Sequence, residues 1–155
     1  MVEDNTNQRE NILVSERAKA LKMQLEAIKR QGARDNNGGN GQRFNEIVAQ
    51  RNKMPVKTMQ RFIKLNDLVP ELLDLADKKA IGFIPAFEMA YIRPKNQQYI
   101  AVAIEGNQSA PNVGQAKRMR ELDQQNQLNP DVIDGIKSIS VWRYIVQSMA
   151  CSTLG

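Results

Sequence analysis

Six cations and one carboxylate fall between Arg43 and Lys64, in RFNEIVAQRNKMPVKTMQRFIK. The whole chain carries a net charge of +5, and this window alone accounts for it; the remaining residues sum to zero. The residue types suit recognition of a polyanion rather than the making or breaking of bonds. Gln60 can pair with both acceptor and donor on an adenine edge, and Arg61 can donate to two acceptors on guanine. Lys57, Thr58 and Lys64 lie within a turn or two of them. Arg43, Arg51 and Lys53 flank the group and suit phosphate oxygens, contacts that position a protein on a duplex without specifying sequence.

Such side chains need a scaffold that points them outward, and the spacing predicts one. Two short helices are expected at about 43–52 and 55–65, with a break at Asn52-Lys53-Met54 and Pro55 in the first turn of the second helix, where a missing N–H is tolerated. In a helix-turn-helix, a small residue must sit where the second helix crosses the first, and Ala49 fits. The turn needs an apolar plug, and Met54 fits. The second helix needs an inward face, which Met59, Phe62 and Ile63 supply. Val56, Lys57, Gln60, Arg61 and Lys64 then fall on or near the outer face, with Thr58 close to the N-terminal end, the end that meets base edges in a major groove. Lys53 occupies a position that requires a left-handed backbone, at about 1 kcal/mol for a residue with a Cβ. Spacing alone is equally consistent with two amphipathic helices whose charges are simply solvated.

The composition removes other chemistries. There is no histidine, so imidazole catalysis and zinc–histidine sites are absent. One cysteine, Cys151, forms neither an intramolecular disulfide nor a CxxC pair, and no base is at hand to activate it. No apolar run approaches the ~20 residues that span a bilayer. The polar, acidic N-terminus is unlike a secretory signal, which points to a cytoplasmic protein. The carboxylates of Glu71, Asp74 and Asp77 repeat at helical spacing beside Lys78 and Lys79 and read as a solvated face. No enzyme activity, cofactor or metal is expected.

The rest of the 155-residue chain reads as an all-α, multi-helix domain. Ser15 is placed to cap a helix from Glu16 to about Gln31, with Ala18, Leu21, Leu25 and Ile28 as its apolar stripe and Gly32 as its end. Gly32 to Gln42 (GARDNNGGNGQ) reads as a flexible loop, without the lysine of a phosphate-binding loop. Pro70, Pro85, Pro94 and Asn129-Pro130 open later helices, Gly106 ends one, and 112–125 forms a polar helix with Val113, Ala116, Met119 and Leu122 on one face.

With these residues in view, RENILVSERAKALKMQLEAIKRQG and VKTMQRFIKLNDLVPELLDLADKKAIGFIPAFEMAYI resemble the central DNA-binding domain of ParB-type partition proteins, over about Asp4 to Ile136. QRFIKLNDLVPELLDL is the most specific part. The resemblance implies site-specific binding to a centromere-like sequence in double-stranded DNA and segregation of a plasmid or chromosome. It also implies a nucleoid- or plasmid-associated location, with a partition ATPase and a second copy of the chain as partners. Carried over residue by residue, it marks Lys57, Thr58, Gln60, Arg61 and Lys64 as reading residues, and Arg118 and Arg120 as additional phosphate contacts. Residues 1–14 are expected to be a remnant of, or linker from, an upstream domain, 15–136 the helical domain, and 137–155 a tail of unassigned role. At helical spacing, Val141, Trp142, Ile145, Val146 and Met149 of that tail would share one face, which could pack on the body, pair with a second chain or stay disordered. The family's Gly-x-Arg-Arg nucleotide motif is absent, and only Gln8 and Arg9 match its second nucleotide motif, so CTP hydrolysis is not carried over and Arg9 reads as solvated. Two other readings remain: a helix-turn-helix transcriptional regulator on the same scaffold, and a helical adaptor that binds protein through the Met- and Leu-rich later helices.

Overall fold

The computed structural model describes residues 12–34, 41–107 and 109–137, and all regular structure among them is helical. The chain is all-α. The segments 1–11, 35–40 and 138–155, which include Arg9, Trp142 and Cys151, lie outside the described residues. Contacts divide the chain after Lys79 into two compact units.

The first unit contains α1 (Val14–Arg34), α2 (Gly41–Arg51), α3 (Val56–Lys64), a 3-10 turn (Leu65–Asp67) and α4 (Pro70–Asp77). The long α1 packs against α2, α3 and α4. Its predicted stripe is the one buried: Ala18, Leu21, Leu25 and Ile28 are nearly inaccessible. Leu21, Leu25 and Ile28 form one core with Val48, Ala49 and Met59, and Phe44, Ile47, Met54, Phe62 and Ile63 pack around it. Each fully buried Leu or Met contributes on the order of 1.5–3 kcal/mol.

Both ends of α1 differ from expectation. The helix begins at Val14, so Ser15 lies inside its first turn and is not the cap. Ser15 is buried, and its backbone N–H donates to Asp77 Oδ1 at 2.8 Å. A carboxylate from the end of α4 therefore satisfies one of the unpaired N–H groups of the first turn, where the helix dipole also favours negative charge. At the other end, Gly32 does not stop the helix, which continues to Arg34. A Cβ at Gly32 would lie 2.5 Å from Phe44 Cζ, so this glycine serves the close approach of an α2 ring. Of the expected loop, 32–34 and 41–42 are helical and 35–40 lie outside the described residues.

The second unit contains α5 (Phe83–Met89), α6 (Pro94–Asn107), α7 (Val113–Gln124) and α8 (Pro130–Lys137). α5 packs on α7, α6 on α8, and α7 on α8, burying Met89, Ile92, Ile100, Ile104, Met119, Ile133 and Ile136. Pro94 and Pro130 stand at the first helical position as expected, whereas α5 starts two residues before Pro85, with Gly82 as its N-cap, and Gly106 lies inside α6. Asn112 and Gln115 form a reciprocal capping box at the start of α7. The buried Asp123 accepts from the Arg93 backbone N–H at 3.1 Å and from Asn96 Nδ2 at 2.6 Å, and so caps α6 from a neighbouring helix. Gln97, fully buried, donates Nε2 to the Ile92 carbonyl at 2.8 Å. No described helix is long and apolar enough to cross a membrane.

Candidate nucleic-acid interface

The two helices around the basic window are joined by Asn52–Pro55. The Lys53 N–H donates to the Gln50 carbonyl and the Met54 N–H to the Ala49 carbonyl, both at 3.1 Å. That pair of bonds is a Schellman termination, which needs a left-handed residue between them, and Lys53 has φ 51°. The expected strain of about 1 kcal/mol therefore falls on a lysine. Ala49 is 2% exposed and Met54 packs against the same core. Asn52 fixes the turn to α1, its Nδ2 donating to Gln24 Oε1 and to the Val48 carbonyl, each at 2.8 Å.

The burial of α3 sets which side chains face out. Met59 is fully buried, with Phe62 and Ile63 against the same core. Val56, expected on or near the outer face, instead packs against this core, because it lies on the Ile63 side of the first turn. At 3.6 residues per turn, Lys57, Arg61 and Lys64 fall within an arc of ~60° on the side opposite Met59, flanked by Gln60 and Thr58. Lys57 and Gln60 are exposed, whereas Thr58, Arg61 and Lys64 are half-buried. Lys64 Nζ lies 2.7 Å from Asp67 Oδ2. Surface pairs of this kind contribute about 0–1 kcal/mol, so a phosphate can displace Asp67. Arg43 and Arg51 are exposed at opposite ends of α2, and Lys53 is exposed in the turn.

Sequence reasoning assigned no role to Arg17, one of several cations on α1. Its guanidinium carbon lies 5.2 Å from the centre of the Phe62 ring, which fixes it beside α3. A concavity of about 430 Å³ is lined by Arg17, Leu21 and Gln24 of α1 and by Arg51, Asn52 and Lys53. The signal available was the apolar register of α1, which puts Arg17 next to the buried Ala18.

Arg118 and Arg120 belong to α7, in the second unit. Arg118 is exposed, 3.4 Å from Glu121. Arg120 does not have the solvated guanidinium that a phosphate contact presupposes. Its Nη1 is 2.8 Å from Glu88 Oε2, its guanidinium carbon sits 3.8 Å above the Tyr91 ring, and Glu88 is 8% exposed. A buried carboxylate requires such a partner, so this arginine holds α7 to α5. Lys137 is another engaged cation. Its Nζ donates to the Ala103 carbonyl, and burial lowers its pKa below the usual lysine value, against the opposing pull of Asp134. Among the described residues, no group of three or more carboxylates or cysteines is placed to hold a metal ion. Comparison with family models, curated proteins and solved structures finds no match for the chain.

Proposed function

We propose that this chain binds double-stranded DNA at a specific, centromere-like site, in the manner of the ParB-type partition proteins its sequence resembles, with α3 as the reading helix. The observation that carries this reading is the burial pattern of α3. Met59, Phe62 and Ile63 are turned into the core, and the opposite face gathers Lys57, Gln60, Arg61 and Lys64. A solvated face needs charge of either sign, but this one has no acid on α3 itself. A second copy of the chain is the natural partner, since paired half-sites match paired reading helices.

The test is selection of duplexes from a random pool, followed by binding titrations at several salt concentrations. Binding should weaken steeply with salt, as phosphate contacts release counterions. Arg61→Ala should lose about 1–3 kcal/mol of preference for the selected site over a scrambled one, while Arg51→Ala should weaken both duplexes alike. Absence of any duplex binding, or binding indifferent to salt, refutes the proposal and leaves the adaptor reading. Where the selected site lies separates partition from regulation: beside a partition ATPase gene in the first case, across an unrelated promoter in the second.

A further inference from the structure

We infer that the concavity between α1 and the Asn52–Pro55 turn is a phosphate seat, in which Arg17, Arg51 and Lys53 converge on one phosphodiester of the DNA backbone beside α3. The inference rests on the DNA-binding reading above and adds to it a residue from α1, outside the two-helix window. Three observations carry it. The described lining includes three cations and no carboxylate, a charge balance that suits an anion. The turn is held in shape without those cations: Asn52 is tied to Gln24 and to the Val48 carbonyl. The turn also leads directly into the first residue of α3, the end of a reading helix that enters the groove, so a backbone phosphate at the groove edge comes within reach of a lysine side chain.

Arg17 has a further property that a merely solvated cation lacks. Its position over the Phe62 ring restricts its rotamers before any ligand arrives, which lowers the ordering cost of binding.

The experiment compares Arg17→Gln and Lys53→Gly with the wild-type chain on the selected duplex and on a scrambled one, from 0.05 to 0.5 M salt (our chosen range, roughly that over which counterion release is read). Because the three cations share one phosphate, each single variant should make the slope of log K against log salt shallower by less than about 0.9, and Arg17→Gln with Lys53→Gly together by at most about 0.9. The loss should be equal on both duplexes. Lys53→Gly should do this with a melting temperature that does not fall, which separates a lost contact from a damaged turn. If both variants bind like wild type while Arg61→Ala still loses discrimination, the seat is wrong and the reading helix stands. If the variants lose preference between duplexes rather than overall affinity, these residues read bases and the seat is again wrong. Should the wild-type chain bind no duplex, the DNA-binding reading fails first and the seat with it.

Discussion

Gly32→Ala puts two opposed quantities against each other at one atom. In a helix interior, alanine is favoured over glycine by about 0.8–1.0 kcal/mol, and at Gly32, in the last turn of α1, by at most that. The added Cβ, however, would stand 2.5 Å from Phe44 Cζ and 2.7 Å from Cε1. Carbon atoms in contact prefer about 3.5–4.0 Å, so the ring must retreat by about 1 Å or more. Phe44 is packed against the unit's core and cannot swing away without disturbing it. Overpacking of this kind costs about 1–3 kcal/mol, which outweighs the propensity gain. Gly32→Ala should therefore lower stability by up to about 2 kcal/mol in urea titrations followed by circular dichroism. In a Phe44→Leu background, where the outer ring atoms are gone, the same substitution should turn neutral or stabilising. The coupling between the two sites should be on the order of 1–3 kcal/mol. If Gly32→Ala stabilises the wild-type chain, or shifts both backgrounds equally, the close approach of α1 and the Phe44 ring is not the reason for this glycine.

Three other substitutions test the contacts that build the two units. Asp77→Ala removes the carboxylate that receives the Ser15 N–H and should cost about 1 kcal/mol, read as a lower urea midpoint; an unchanged midpoint would dismiss the cap. Arg120→Met leaves Glu88 with an unpaired, nearly buried carboxylate and should cost about 2 kcal/mol or more, whereas adding Glu88→Leu should recover most of that loss; a double variant as unstable as the single would show that the pair is not what Arg120 supplies. Lys137 has a lowered pKa in the folded chain, so the unfolded chain holds its proton to higher pH, and stability should rise slightly with pH just below the usual lysine value. Lys137→Met should abolish that rise relative to wild type, measured as the pH dependence of the urea midpoint.

What the sequence made legible is local. Ala49, Met54 and Met59 were expected inward from their spacing and are buried or packed against the core, and the left-handed backbone expected at Lys53, an unfavourable place for a lysine, is present. The apolar stripe of α1 was equally plain, because four residues at three/four spacing have one common face. The misreadings came from partners distant in sequence. Ser15 has the right side chain for a cap, but the structure gives the work to Asp77, 62 residues away. Gly32 follows a helical pattern just where a terminator is expected, and nothing nearby announces the Phe44 ring. Arg120 looks like any cation on a polar helix until Glu88 is seen beneath it. Conversely, three helix ends turn through left-handed non-glycine residues, Lys53, Lys79 and Asn126, and no described glycine has a positive φ. Reading glycines as helix ends therefore failed at both Gly32 and Gly106.

The Ser15–Asp77 contact has a topological meaning as well as an energetic one. It brings together the beginning of α1 and the end of α4, so the stretch between them starts and finishes at nearly the same point. A segment with adjacent ends can be spliced into a loop of another protein without prising its host apart. The unit from α1 to α4 is in that sense a portable cassette: a helix with a basic outer face mounted mid-segment, with an attachment point a single hydrogen bond wide.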